Sequence, residues 1–149
     1  MRSCPRTPTA IDLFCGVGGL SLGLKDAGFR LIGAADSDRH AIETHRRNFP
    51  DVKASECDLI KASGASLRES LGLGNGSIDL LSGGPPCQGF SAGGRHTKKD
   101  PRNKGVAAFA RLVTELRPRY FLMENVRGFT FQEHAPDRKS TRLNSSHSS

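Results

Sequence analysis

No apolar run in the chain approaches the ~18 residues needed to cross a bilayer as a helix. The start, Met1-Arg-Ser-Cys-Pro-Arg-Thr-Pro8, lacks the apolar core of a secretory signal. A membrane protein and a secreted protein are therefore both disfavoured, and a cytoplasmic one is expected. Four cysteines stand at 4, 15, 57 and 87, and no pair has the CxxC spacing of a zinc knuckle or a thioredoxin-type dithiol. They read as separate thiols in a reducing compartment, with no metal expected, and any one of them could be a nucleophile. No internal repeat is present. What the chain does have is 17 Gly and 8 Pro among 149 residues, 36% hydrophobic and 25% charged, which suits one globular domain rich in turns. Its net charge of +7 suits a polyanionic partner, although the basic residues are scattered rather than gathered in one block.

Composition changes near the end. Residues 137–149 are Ser-rich and show neither helical nor strand periodicity. Asp137 to His147 resemble the translated read-through of a common sequencing adapter. This stretch is expected to be an unstructured artefact, and it carries three cations against one acid, so the charge ahead of it is +5. The expected division is a 1–9 extension, a partial catalytic and cofactor-binding domain over 10–136, and the 137–149 tail, as in the front portion of a longer protein.

Between these limits, strand and helix patterns alternate. Strands are expected over Ala10–Phe14, Phe29–Ala35, Ile78–Ser82 and Arg119–Asn125, with a further short strand within Val52–Leu59. Helices are expected over Leu20–Ala27, closed by Gly28, and over Arg39–Asn48, capped by Asp38 and stopped by Pro50. A short helix around Leu67–Leu71 lies in a poorly defined Gly- and Ser-rich stretch, and Val106, Phe109, Ala110, Val113 and Leu116 recur at helical spacing. Residues 83–105 form a long polar segment. Such alternation predicts an α/β fold with a mostly parallel sheet and helices on both faces. Ligands in such folds collect at the carboxyl ends of the strands.

Two groups of residues fall at those ends. The turn Cys15-Gly-Val-Gly-Gly19 brings backbone close to a ligand, and the helix start behind it favours an anionic group. Asp36 follows Gly16 by twenty residues, the reach of an acid that takes ribose hydroxyls. The third glycine of GxGxxG is replaced by Ser21, so the dinucleotide fingerprint is incomplete. The second group is Gly83-Gly-Pro-Pro-Cys-Gln-Gly-Phe-Ser91 with Glu124-Asn125-Val126 on a neighbouring strand end. Two glycines and two prolines fix an irregular loop around Cys87, and Glu124 beside that thiol is a candidate proton donor.

Asp12-Leu-Phe-Cys-Gly-Val-Gly-Gly19, Gly84-Pro-Pro-Cys-Gln-Gly-Phe-Ser91, Asp100-Pro-Arg-Asn103 and Met123-Glu-Asn-Val126 resemble four ordered motifs of the DNA cytosine-C5 methyltransferases. The resemblance runs from about Ala10 to Gly128. It implies a Rossmann-like S-adenosylmethionine-dependent methyltransferase fold, incomplete at the C-terminus. It implies that Cys87 attacks C6 of cytosine, that Glu124 engages N3 and that Asn125 supports the loop. For the cofactor, S-adenosylmethionine, it implies Phe14 on the adenine, Gly16, Gly18 and Gly19 beside the methionine portion, Asp36 on the ribose, Asp58 and Leu59 bordering the adenine, and Pro85 nearby. Gln88, Ser91, Arg95 and Arg102 would belong to a loop closing over double-stranded DNA with its target cytosine flipped out. No metal takes part, and the complete protein is expected to be a monomer. Asp36 stands where the family more often has Glu, and Lys104-Gly105-Val106 replaces a larger apolar residue.

Three alternatives stay open. A transfer-RNA cytosine methyltransferase would share the architecture, but Gln88-Gly-Phe-Ser91 looks like the DNA branch. A non-catalytic nucleotide-binding module would not need Cys87 with Glu124. An NAD-dependent oxidoreductase is opposed by Ser21 and by the lack of a Tyr-x-x-x-Lys pair.

Overall fold

The computed structural model describes residues 6–86 and 104–125. Within them lie five strands, β1 (Thr9–Leu13), β2 (Arg30–Asp36), β3 (Ala54–Glu56), β4 (Leu80–Gly83) and β5 (Tyr120–Met123). Four helices alternate with them: α1 (Gly19–Asp26), α2 (Arg39–Asn48), α3 (Gly64–Leu71) and α4 (Lys104–Leu116). The strands form one parallel sheet in the order β3-β2-β1-β4-β5.

Period-two alternation sorts the sheet's side chains onto two cores. Ile11, Leu13, Ala35 and Leu81 pack with Leu67 and Leu71 of α3 and with Phe109, Leu112 and Leu116 of α4. Ala10, Ala34 and Leu80 pack on the other face with Leu24 of α1 and Ile42 of α2. β1 is buried at all five positions because strands flank it and helices cover both its faces. Each fully buried aliphatic side chain there contributes roughly 1.5–3 kcal/mol by leaving water.

Local chemistry explains the element ends. Asp38 accepts from the backbone N–H groups of His40 and Ala41 and so caps α2. Gly28 at φ 88° ends α1, with the Phe29 N–H returning to the Leu24 carbonyl. α3 is longer than the Leu67–Leu71 pattern suggests, because Ser63 and Ser66 form a reciprocal capping box and Glu115 of α4 accepts from the Gly64 N–H. β3 is a three-residue strand inside the Val52–Leu59 stretch, as expected. Val52 and Leu59 are buried, but they anchor loops to the core and pair with no strand. The chain leaves the sheet after Glu56 and turns at Asp58, whose carbonyl accepts from Lys61 and Ala62.

Candidate active site

The chain builds outward from β1 to β2 and β3, then crosses back to β4 and β5 on the other side. The loops after β1 and β4 therefore diverge, which opens a crevice at their carboxyl ends. Leu13 is level with Ala35 on β2 and with Gly83 on β4, and Gly83 is level with Met123 on β5. A hollow of about 290 Å³ lies there, lined by Phe14, Asp36, Ser37, Asp58, Leu59, Ile60, Gly84 and Pro86.

A larger hollow of about 730 Å³ opens at the opposite edge, beside Thr9, Arg30 and Ile78. Lys25 and Lys53 line it where α1 and α3 end, with Lys53 Nζ close to Gly72. Helix carboxyl ends carry partial negative charge, so these cations complement the fold itself. The smaller crevice lies instead at the carboxyl ends of the strands, where ligands collect in such folds, and we place the site there.

Two devices shape its nucleotide end. Phe14 adopts φ 53°, a left-handed conformation that costs a non-glycine residue about 1–3 kcal/mol. The next residues hold it there: the Cys15 N–H donates to the Ala35 carbonyl at 3.2 Å, and the Gly16 N–H donates to Asp36 Oδ2 at 2.9 Å. Asp36 Oδ1 accepts from the Asp38 N–H at 2.9 Å, so this carboxylate braces the glycine turn and the start of α2 together. Each oxygen keeps a lone-pair site for a ligand hydroxyl. Gly16 and Gly19 border open space where a Cβ would stand. Gly18 does not: a Cβ there would lie 2.2 Å from the Phe49 ring, so its bareness serves packing against α2.

Asp58 is exposed, pairs with Lys61 at 3.1 Å and accepts from the Ile60 N–H. The Lys61 contact is the main cause that holds its carboxyl below the usual range. Leu59 lines the hollow while its side chain belongs to the core. Pro85 is buried, and Pro86 lines the hollow in its stead. Ser37 and Ile60 also line it without any signal in the sequence, since only the turns after β2 and β3 bring them there.

Cys87, Gln88, Ser91, Arg95 and Arg102 lie outside the described residues. The chain leading to Cys87 is closely packed at Gly83. A Cβ at Gly83 would stand 2.7 Å from the Leu13 carbonyl and 2.8 Å from Phe109, so β1 and α4 leave room only for glycine. Gly105, at the start of α4, sits where a Cβ would meet the Pro86 ring at 3.0 Å, which accounts for a small residue at that position. Glu124 directly follows β5. Its N–H donates to the Gly83 carbonyl at 2.9 Å, and its Oε2 lies 3.2 Å from where a Cβ at Gly84 would be. Its carboxylate therefore borders the chain three positions before Cys87. Asn125 beside it is half-buried.

The two described cysteines are poor nucleophiles. Burial, with Asp12 and Asp36 adding to it, pushes the Cys15 thiol up to about 12. Burial and Asp58 likewise raise Cys57. Thiols held protonated at neutral pH react slowly. Among the described residues, no three His, Cys, Asp or Glu side chains cluster as a metal site, and no helix is long and apolar enough to cross a membrane.

The parallel order, the crevice at the switch point and the acid at the end of β2 define a Rossmann-like fold of the S-adenosylmethionine-dependent methyltransferase type. Comparison with known proteins narrows this class. The C-5 cytosine-specific DNA methylase family profile matches residues 9–144, and the chain belongs to that family. It is 44% identical over 127 residues to the type II methyltransferase M.XorII of Xanthomonas oryzae pv. oryzae, covering 85% of this chain and 30% of that protein. It is 42% identical over 118 residues to M.AgeI of Thalassovita gelatinovora, covering 79% and 28%. The crystal structure of a prophage-encoded DNA modification methyltransferase from E. coli superposes with a TM-score of 0.73 at 41% identity, covering 86% of this chain and 34% of that one. The chain thus spans about a third of the length of these relatives.

Proposed function

We propose that this chain carries the cofactor pocket and the catalytic residues of a DNA cytosine-C5 methyltransferase that uses S-adenosylmethionine. One observation carries the reading. A single hollow is bordered on one side by Phe14 and Asp36, and on the other by the Gly84–Pro86 segment that leads to Cys87 and lies beside Glu124. On this reading a nucleoside binder and the segment leading to the reactive loop border one crevice. The residues fit the cofactor: an aromatic ring for adenine, a carboxylate for ribose hydroxyls, and open backbone at Gly16 and Gly19.

S-adenosylmethionine, when bound, supplies an electrophilic methyl group. The chain's own residues make the cytosine a nucleophile. The Cys87 thiolate adds to C6, and the electron pair moves onto the ring, so that C5 becomes enamine-like. Glu124 protonates or hydrogen-bonds N3, where negative charge develops, and this is electrostatic stabilisation at the position of greatest need. Asn125 supports the loop. Once C5 has taken the methyl group, its proton passes to solvent, the C5–H electrons re-form the C5–C6 double bond, and Cys87 leaves as the thiolate with the C6–S pair, which restores the aromatic ring. Because the target atoms lie inside the duplex, the base must leave the stack, and Gln88, Ser91, Arg95 and Arg102 are the residues we assign to that DNA contact.

The test uses a chimera in which residues 9–126 replace the matched segment of a family relative. With S-adenosylmethionine and duplex DNA containing 5-fluorocytosine, a covalent adduct should map to Cys87, because fluorine cannot leave as a proton. Cys87→Ser should give no adduct and no methyl transfer. An adduct on Cys15 or Cys57, or an active Cys87→Ser chimera, overturns the assignment. Transfer to transfer RNA but not to DNA would reassign the substrate class.

A further inference from the structure

Beneath the glycine turn lies a fully buried polar chain that the proposed mechanism does not use. Asp12 of β1, Ser21 of α1, His45 of α2 and Ser82 of β4 are all 0% exposed. The Ser21 hydroxyl donates to Asp12 Oδ2 at 2.6 Å, and Ser21 Oγ lies 3.0 Å from His45 Nε2. The Ser82 hydroxyl reaches Asp12 Oδ1 at 3.1 Å and the Ile11 carbonyl at 3.0 Å. Burial raises the Asp12 carboxyl above its ordinary range, and the hydroxyl of Ser21, with that of Ser82 shared between Asp12 and the Ile11 carbonyl, acts against that rise. Ser21 has one hydroxyl proton, and it goes to Asp12. The proton between Ser21 and His45 must then belong to the imidazole, so Nε2–H donates. Nδ1 has no partner among the described residues. As a bare lone pair in a buried site it costs less than an unpaired N–H would.

The same helix grips the turn at two further points. Asn48 Nδ2 donates to the Val17 carbonyl at 2.9 Å. Phe49, whose ring lies 4.7 Å from that of His45, occupies the space that a Cβ on Gly18 would need. Val17, Gly18 and Ser21 are therefore all fastened to the last turn of α2 or to the residue that caps it.

We propose that His45, acting through Ser21 and Asp12, is a positioning residue for the cofactor turn, and that it works only as the neutral Nε2–H tautomer. The proposal rests on the reading that residues 14–19 hold S-adenosylmethionine. Protonation would place a cation and an unpaired Nδ1–H in a site closed by Phe49. The charged groups around it are Asp12 of β1 through Ser21, Asp36 of β2 acting on Asp12, and Lys25 of α1, which lies 5.5 Å from the centre of the Phe49 ring. Burial holds the imidazole below its ordinary value of 6.5.

Two measurements on the chimera carrying residues 9–126 test this. Nitrogen–proton correlation spectra of the His45 ring should show a protonated Nε2 and a bare Nδ1, with titration beginning only below the ordinary histidine range. An Nδ1–H tautomer, or titration at or above about 6.5, overturns the proposal. Calorimetric titration with S-adenosylmethionine from pH 8 to 5 should show constant affinity down to about 6.5 and a fall below it as His45 takes up a proton. His45→Gln, whose amide N–H replaces Nε2–H but does not titrate, should keep the affinity and flatten the fall. His45→Leu should weaken binding roughly tenfold at pH 8, the scale of one buried hydrogen bond left unmade. Wild-type affinity in His45→Leu, or an unchanged pH dependence in His45→Gln, overturns the positioning role. If His45→Leu does not fold, the Gln comparison decides alone. A wild-type chimera that binds no cofactor at pH 8, with the expected spectra, refutes the cofactor reading instead.

Discussion

Gly16, Gly18 and Gly19 stand within four positions yet are glycine for different reasons. Gly16 and Gly19 leave room beside the backbone, whereas Gly18, at φ 104°, leaves room for Phe49. Gly18→Ala should lower the urea midpoint sharply, and Phe49→Leu in the same chain should return part of the loss by removing the collision. A coupling of about 0.5–3 kcal/mol is expected for side chains in direct contact. The thiols give a second residue-scale prediction. At pH 8, iodoacetamide should alkylate Cys15 in the native chain far more slowly than in the urea-unfolded chain, because burial and two nearby acids keep it protonated. Peptide mass spectrometry reads this directly, and rapid native labelling of Cys15 would contradict the burial argument. In the chimera, Glu124→Gln should reduce methyl transfer by ~10²–10⁴-fold, the usual cost of losing one positioned proton transfer. Cofactor affinity should be unchanged, since Glu124 lies outside the Phe14–Asp36 side of the hollow.

Elements here are held by contacts of different reach. α2 starts at Asp38 by its own sequence, and the Asp38 side chain accounts for it. α3 starts at Ser63 partly by sequence and partly because Glu115, fifty-one residues away, takes the Gly64 N–H. α4 is fixed by burial of Phe109, Leu112 and Leu116 against the sheet. Leu112→Ala, at a fully buried position, should cost about 2–5 kcal/mol in chemical denaturation, against almost nothing for a change at exposed Thr114. β5 is the edge strand of the described sheet, and Tyr120, Phe121 and Leu122 are exposed on it. An exposed apolar edge templates pairing with other chains. The 149-residue chain should therefore self-associate as its concentration rises, and Leu122→Lys should suppress this in sedimentation or light-scattering measurements.

At the scale of the whole molecule, one acid ties three distant segments. Asp79, just before β4, accepts from Arg6 at 2.7 and 2.9 Å, from the Thr9 N–H at 2.8 Å and from the Thr9 hydroxyl at 3.0 Å, and Arg119 lies 3.5 Å away. The Thr9 N–H, first among these, holds its carboxyl below the ordinary 3.8. A depressed carboxylate lends stability above its unfolded value and loses it as pH falls through the folded one. The urea midpoint should therefore drop as pH is lowered below about 4, and Asp79→Asn should start lower at pH 7 and drop less.

The order of strands and helices, the Asp38 cap, and the facing of Asp36 and the glycine turn toward one edge were all legible in the residues. They follow from periodicity and turn chemistry, which act over a few positions. The motif words around Cys87 and Glu124 likewise carried the family, and comparison over residues 9–144 established it. Pro86 in place of Pro85, Ser37 and Ile60 in the crevice, and Gly105 against Pro86 were not legible, because each depends on which loop meets which helix. Ser21 shows the difference most clearly. In the sequence it is only the glycine missing from a dinucleotide fingerprint. In the folded chain its hydroxyl links a buried carboxylate to a buried imidazole twenty-four residues away. Local preference determined the elements, while tertiary packing alone decided which polar groups were sealed from water together and so had to satisfy one another.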